Sequence, residues 1–269
     1  MTAQKYWLDA ARGIKRAILG QKQVFLQGHH YRLTYESRKA YNDRDYPFLV
    51  KLAQNKNCIF DVGANHGITA LVMASAMSKS GQLYAFEASE KACQLIQENI
   101  QLNQFQHQIN IVNALLAERS GIVLDFYWSE ASGGASLIYN YLGHISSLQK
   151  ITLALDDFVI QTGLSPDLIK VDVEGAERQV LAGCHRIMSS IKPTIFLELH
   201  SWQDMTVVEN ANSILDHLAK VSYKMIYLRT KEVVQDAICF ADRGRCHVLL
   251  LPDELPLPEW LPQVNTENI

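Results

Sequence analysis

No apolar run in this chain reaches the ~18–20 residues that a membrane-spanning helix needs, so no span is expected. No apolar core follows the charges of the first residues, so no signal peptide is expected either, and a cytoplasmic protein is the expectation. Long basic runs are missing too. With a formal net charge of −3, nucleic acid is not the expected partner. The five cysteines (Cys58, Cys93, Cys184, Cys239, Cys246) are odd in number and lack paired metal-ligand spacing. Cys246-His247 has no second half, so reduced thiols and no metal are expected. The chain also lacks a G-x-G-x-x-G turn, and with it an arrangement for cradling a pyrophosphate. There is no internal repeat and no low-complexity segment.

What is present is a 269-residue chain, 48% hydrophobic, with material for one large α/β core. Residues 1–20 have the spacing of an amphipathic helix, with Trp7, Ala11, Ile14 and Ile18 on one face. Such a helix packs on the domain or on a second subunit, which makes a homodimer one expectation; its basic residues make contact with a membrane surface the less favoured alternative. Residues 23–35 suggest a hairpin around Gly28, followed by a helix near Tyr46–Gln54. From residue 58 the pattern alternates. Strands are predicted near 58–62, 82–87, 109–114, 122–127, 151–153, 167–172, 194–199, 223–228 and 245–251, and helices near 67–78, 89–103, 175–189 and 206–220. This argues a mostly parallel sheet with helices on both faces. Only a polar loop joins the last two strands, so they should pair antiparallel. The expected organisation is a cap over 1–57, a domain over 58–251 and a proline-rich, irregular tail over 252–269.

Two segments carry the chemistry. In the first, the strand Cys58–Val62 runs into the turn Gly63-Ala64-Asn65-His66-Gly67, which opens a helix. Asp61 closes that strand, and Glu87 closes the next. Glycines let a ligand approach the turn backbone, and a strand-end acid accepts hydrogen bonds from both hydroxyls of a ribose. Without a pyrophosphate cradle, the pattern points to a nucleoside lacking phosphates, of which S-adenosylmethionine is the commonest as a cofactor. The candidate cofactor set is Asp61, Gly63, Ala64, Asn65, Gly67, Glu87 and Ala88, with Asn113 and Ala114 at the end of the third strand. The Asn113 amide both donates and accepts, as the adenine edge requires. The second segment ends a strand with Asp172, Glu174 and Glu177, three carboxylates within six residues. Crowded acids raise one another's proton affinity and suit general-base or metal work. Glu177 is assigned instead to the first turn of the following helix, where it favours the dipole. On the next strand Glu198 and His200 are two apart and point the same way. Asp172, Glu174 and His200 are the candidate catalytic residues. Ser136, in the small polar loop 129–137, and Glu198 are the candidate acceptor contacts, with Tyr139 and Tyr141 suited to a ring-bearing substrate.

Asp-Val-Gly-Ala-Asn-His-Gly at 61–67, Phe-Glu-Ala at 86–88, Leu-Asp-Asp-Phe at 155–158, Leu-Ile-Lys-Val-Asp-Val-Glu-Gly-Ala-Glu at 168–177 and Lys-Pro-Thr-Ile-Phe-Leu-Glu-Leu-His at 192–200 follow in order. Over about residues 58–200 this resembles the FkbM family of S-adenosylmethionine-dependent methyltransferases. The resemblance implies a Rossmann-like class I methyltransferase fold, with seven strands and an antiparallel last strand. It also implies O-methylation of a small hydroxylated acceptor such as a sugar or other secondary metabolite. It places Asp61, Gly63, Asn65, Gly67 and Glu87 on the cofactor, and Asp172 and Glu174 near the transferred methyl. Ala88 stands where family members usually carry proline. His200 or Glu174 is the expected base, with Asp172 orienting cofactor or acceptor. Mg²⁺ held by Asp172, Glu174 and Glu198 is an alternative that no ligand spacing favours. A nicotinamide-dependent oxidoreductase and a non-catalytic cofactor-binding domain are the rival readings.

Overall fold

A computed structural model of the chain describes residues 20–39, 44–128, 135–136, 146–201 and 205–265. The expected helix over 1–20, Tyr139, Tyr141 and nearly all of the loop 129–137 lie outside the described residues; of Ser136 only the backbone is described.

The hairpin forms as expected, β1 (Lys22–Leu26) pairing antiparallel with β2 (His29–Leu33). Then come α1 (Tyr46–Ala53), β3 (Cys58–Val62), α2 (Ile68–Ala76), β4 (Gln82–Glu87), α3 (Glu90–Asn103) and β5 (Ile109–Asn113). β6 (Leu115–Leu116), β7 (Val123–Trp128), β8 (Ala135–Ser136) and β9 (Ser146–Leu153) follow. The rest is α4 (Leu155–Thr162), β10 (Leu168–Val171), α5 (Glu177–Ala182), β11 (Thr194–His200), α6 (Val207–Val221), β12 (Tyr223–Tyr227), β13 (Glu232–Val233) and β14 (Arg245–Pro252).

The main sheet has the order β13-β12-β14-β11-β10-β3-β4-β5. From β11 to β5 all neighbours are parallel, and β14 runs antiparallel to both β11 and β12. The sheet has eight strands rather than seven, because two residues of the loop after β12 fold back as β13. β7 and β9 do not join it. They form a separate antiparallel ribbon, from which β9 reaches β6. Two apolar cores flank the sheet, and every residue of β3 is buried, as a parallel strand covered on both faces requires. Ile59 joins the core under α1 to α3, and Phe60 joins the opposite core with Val180 and Leu218.

Three expectations change. The helix expected over 175–189 is broken: α5 stops at Ala182 and a π-helical turn covers Ile187–Ile191. Gly183 makes the break tight, since a Cβ there would lie 2.3 Å from the Ala117 carbonyl oxygen. Helix α4 was not expected. The tail after Pro252 is not wholly irregular; it makes a 3₁₀ turn at Leu261–Gln263 and sets Trp260 edge-on against Phe48 of α1. All five cysteines are free, and no helix among the described residues is long and apolar enough to cross a membrane.

Candidate functional site

The chain leaves β3 for β4 and β5 on one side and returns to β10 and β11 on the other. Strand order therefore reverses between β3 and β10, and the carboxyl ends of these strands are where such sheets usually bind ligands, in the crevice the reversal leaves. Both chemical segments meet there.

The glycine turn hangs from the end of β4. The amides of Gly63 and Ala64 donate to the Phe86 carbonyl at 3.0 and 3.1 Å. Gly63 (φ +78) packs against the other segment: a Cβ would fall 1.8 Å from the Asp172 carbonyl oxygen. Only glycine allows that approach. Asn65 is also left-handed, and Gly67 ends the turn at φ +75 against Ile96. Glu87 is buried beside the turn. Its Oε2 accepts from the Asn65 amide at 2.9 Å and its Oε1 from the Ser89 amide at 2.8 Å. Burial raises its carboxyl above the usual range, against the pull of those two amides. Asn113 behaves otherwise than expected. Its amide nitrogen donates to the Glu87 and Ala88 carbonyls at 2.8 and 3.2 Å, and the Ala114 amide donates to Glu87 O at 3.2 Å. Asn113 thus ties down the exit of β4 instead of presenting a free edge.

The Asp61 carboxylate turns toward α2 and β10. Its Oδ2 accepts from the Thr69 hydroxyl at 2.8 Å, and its Oδ1 lies 3.7 Å from Nζ of Lys170, its register partner on β10. Lys170 is the residue that sequence reasoning missed. Its ammonium, fully enclosed, also lies 3.1 Å from Asp172 Oδ2 and 3.5 Å from the Gly63 carbonyl. Burial alone would lower its pKa, but Asp172 and Asp61 outweigh this and raise it. A lysine inside the otherwise apolar strand Leu-Ile-Lys-Val was the available signal, because such a charge is buried only when paired.

After β10 the backbone turns sharply through Glu174 (φ 53) and Gly175 (φ 108) into α5. This sets Asp172, Glu174 and Glu177 around His200. Its Nδ1 donates to Glu177 Oε1 at 2.9 Å, while Nε2 faces Glu198, Glu174 and Asp172 oxygens at 3.5, 3.6 and 3.9 Å. Burial works to lower the His200 pKa, but the bonds to Glu177 and Glu198 and the charges of Glu177 and Asp172 raise it to about 11. The ring of four carboxylates favours the protonated imidazole, which turns His200 toward donating; of the two candidate bases, His200 and Glu174, this favours Glu174. Glu177 opens α5 as expected, but it also faces the cluster. It is fully buried, takes the Gly175 amide at 2.8 Å, and accepts from Asn210 of α6 at 3.2 Å. Its spacing with Val180 and Leu181 marks it as part of the buried face of α5. Glu174 keeps a half-exposed side chain at the mouth, its carboxyl raised first by burial and lowered in part by His200. Glu198 does point with His200, but it is buried and engaged by Arg245 Nη1 at 3.0 Å and by His247 Nε2 at 3.3 Å, so it backs the site rather than lining it. Asp172, Glu198 and His200 bring three ligand atoms within 4.8 Å of one another.

The pattern described as the methyltransferase FkbM domain matches residues 61–225, more than half of the chain. The 2-O-methyltransferase NoeI of Sinorhizobium fredii (strain NBRC 101917 / NGR234) is 30% identical over 141 residues, which cover 46% of this chain and 56% of that protein. The match thus spans little more than half of that relative. Among solved structures, methyltransferase FkbM from Methylobacillus flagellatus KT superposes with a TM-score of 0.48 at 15% identity, covering 74% of this chain and 44% of that one. A putative O-methyltransferase from Klebsiella pneumoniae gives 0.45 at 13% identity, covering 93% of this chain and 100% of that one.

Proposed function

The chain belongs to the FkbM methyltransferase family, and from that premise we propose that it is an S-adenosylmethionine-dependent O-methyltransferase acting on a hydroxyl of a small molecule such as a sugar. The observation that carries the reading is the contact of Gly63 with the Asp172 backbone, which joins a ribose-type site to a cluster of proton-handling groups. The residues present fit the cofactor. Asp61 Oδ1 is buried and accepts no hydrogen bond, although the ammonium of Lys170 is near. Glu87 has acceptor positions left after binding two amides. Glu87 would hold the ribose hydroxyls, and Asp61 would face the amino-acid end. Bound there, S-adenosylmethionine supplies a methyl group on a positively charged sulfur.

The protein's own part is alignment and proton removal. Holding an acceptor oxygen in line with the methyl replaces a chance encounter by a fixed geometry. Glu174 takes the hydroxyl proton: it is half exposed at the mouth, whereas Glu177 and Glu198 are buried and Asp172 is tied to Lys170. Partial desolvation and the neighbouring acids raise the Glu174 carboxyl above the usual range, which makes it a better base than an isolated surface carboxylate. His200, held by Glu177, orients the cluster and donates to acceptor or carboxylate. Transfer to oxygen is supported by the relative whose name specifies 2-O-methylation.

Calorimetric titration with S-adenosylhomocysteine, wild type beside Glu87→Gln, tests the cofactor; a panel of hydroxylated sugars with labelled S-adenosylmethionine tests the acceptor. Wild-type binding that weakens at least tenfold in the variant is expected. Binding of NAD with no binding of S-adenosylhomocysteine would overturn the reading.

A further inference from the structure

Behind the crevice lies a second constellation that methyl transfer does not use. The antiparallel register of β11 and β14 sets Glu198 directly opposite His247. Asp45, at the start of α1, turns its carboxylate toward them instead of capping its helix. All three are buried, with exposures of 2% for Asp45, 4% for Glu198 and 6% for His247. His247 Nε2 lies 3.0 Å from Asp45 Oδ2 and 3.3 Å from Glu198 Oε2, within ion-pair range of both but aligned for a hydrogen bond to neither. The ring nitrogen is aimed between the two oxygens.

That spacing, which a direct ion pair also shows, suits three ligands around one ion. Donors about 2.0–2.2 Å from a common centre, separated by angles near 90–110°, stand roughly 3.0–3.5 Å apart. The two separations from Nε2 fall in that interval, and the three donor atoms lie within 4.8 Å of one another. We propose that Asp45 Oδ2, Glu198 Oε2 and His247 Nε2 bind a divalent transition-metal ion.

An imidazole with two carboxylates suits Zn²⁺, Mn²⁺ or Fe²⁺; Mg²⁺ and Ca²⁺ take oxygen ligands. Two buried carboxylates neutralise the dication, and a solvent or protein oxygen completes the shell. The outer set of Asp172, Glu198 and His200 is the weaker candidate. There Nε2 stands 3.5 and 3.9 Å from the oxygens, and the Lys170 ammonium already holds Asp172 at 3.1 Å. The inner site clips the N-terminal segment to the two strands that carry Glu198 and His247. It also fixes Glu198, whose other oxygen faces His200 Nε2 at 3.5 Å. The inference is independent of the methyl-transfer reading, since none of the three ligands belongs to the cofactor set.

The test uses the full chain, stripped with a chelator, dialysed and titrated with Co²⁺, read by its visible absorption and by thermal unfolding; Zn²⁺ and Mn²⁺ follow as competitors and Mg²⁺ as control. We expect about one equivalent of Co²⁺ bound and a higher unfolding temperature in its presence. Loss of a ligand in His247→Gln or Asp45→Asn should weaken binding more than about 100-fold, beyond the 10–100-fold typical of outer-shell changes, whereas Asp172→Asn should change it by a few-fold at most. Far-ultraviolet circular dichroism checks that the variants fold; if one ligand variant does not, the other carries the test. Absence of transition-metal binding by the wild type would overturn the proposal. So would retention of binding in the folded ligand variant, or loss of it in Asp172→Asn.

Discussion

Replacing Lys170 by methionine probes the link between the two halves of the crevice. Methionine keeps nearly the same length and removes the charge. The ammonium, 3% exposed, faces Asp61 at 3.7 Å and Asp172 at 3.1 Å; Asp61 is 0% exposed. At an effective dielectric of about 20, each contact is worth roughly 4–5 kcal/mol of attraction. Desolvation offsets much of this, so the net cost of removing one partner of a buried pair is about 3–5 kcal/mol. Against a total stability of about 5–15 kcal/mol that is a large loss. With a urea slope near ~3 kcal/mol/M, the unfolding midpoint should drop by roughly 1–1.7 M. The damage comes from a carboxylate left buried without its cation, so adding Asp61→Asn to Lys170→Met should restore part of the loss. A double-mutant cycle measures that coupling, expected at about 1–3 kcal/mol. A midpoint within experimental error of wild type for Lys170→Met, or strictly additive effects in the cycle, would refute the reasoning.

Gly63→Ala should cost about 1–2 kcal/mol for its left-handed backbone and about 1–3 kcal/mol more for pushing on the Asp172 carbonyl; an unchanged melting temperature would contradict the 1.8 Å approach. Glu174→Gln should lower kcat by about 10²–10⁴-fold while S-adenosylhomocysteine affinity stays within a few-fold, and an unchanged kcat would remove Glu174 as the base. Burial raises the Glu87 carboxyl above 4.5 in the folded chain, so the stability it contributes is complete below the unfolded pKa and lost as pH rises through the folded one. Cofactor binding needs the ionised form, so S-adenosylhomocysteine affinity should fall as pH drops through that raised pKa; affinity flat down to pH 4.5, in protein still folded by circular dichroism, would count against the ribose role.

Much of this arrangement was legible in the chain, for a definable reason. The strand Cys58–Val62 is apolar except for Asp61 and runs into glycines at fixed spacing, so strand, turn and helix are all specified by near neighbours. The same holds for Glu198 and His200, whose common direction follows from strand alternation alone. What was not legible depends on contacts across the sheet. Lys170 reads as one polar residue in a strand until register sets Asp61 beside it. Glu177 has the position of a helix-opening acid, and only its packing between His200 and Asn210 shows that it points inward. The pairing of His247 with Asp45 and Glu198 cannot be read from the neighbouring Cys246, because both partners are remote in sequence. Helix α4 carries Asp156 and Asp157 in its first turn, but Asp156 serves instead to accept the Arg186 and Ile187 amides at 2.8 and 2.9 Å, fixing the broken helix opposite.

The placement of the buried charges bears on why they exist. Asp61, Lys170, Asp172, Glu177, Glu198 and His200 all stand toward the carboxyl ends of β3, β10 and β11, or just after them. The opposite ends of the same strands need little of this kind: Asp167, before β10, accepts the Asn57 and Cys58 amides and anchors the entry of β3. A core filled with apolar residues would be as stable as buried ion pairs or more so, and most of the remainder of β3, β10 and β11 is filled in that way. Charges that add little net stability, gathered where the strand order reverses, match a crevice shaped for chemistry better than one shaped for folding. Loss of Lys170 is thus expected to cost more than its pairs contribute in net terms, because what remains is a buried acid without its balancing cation.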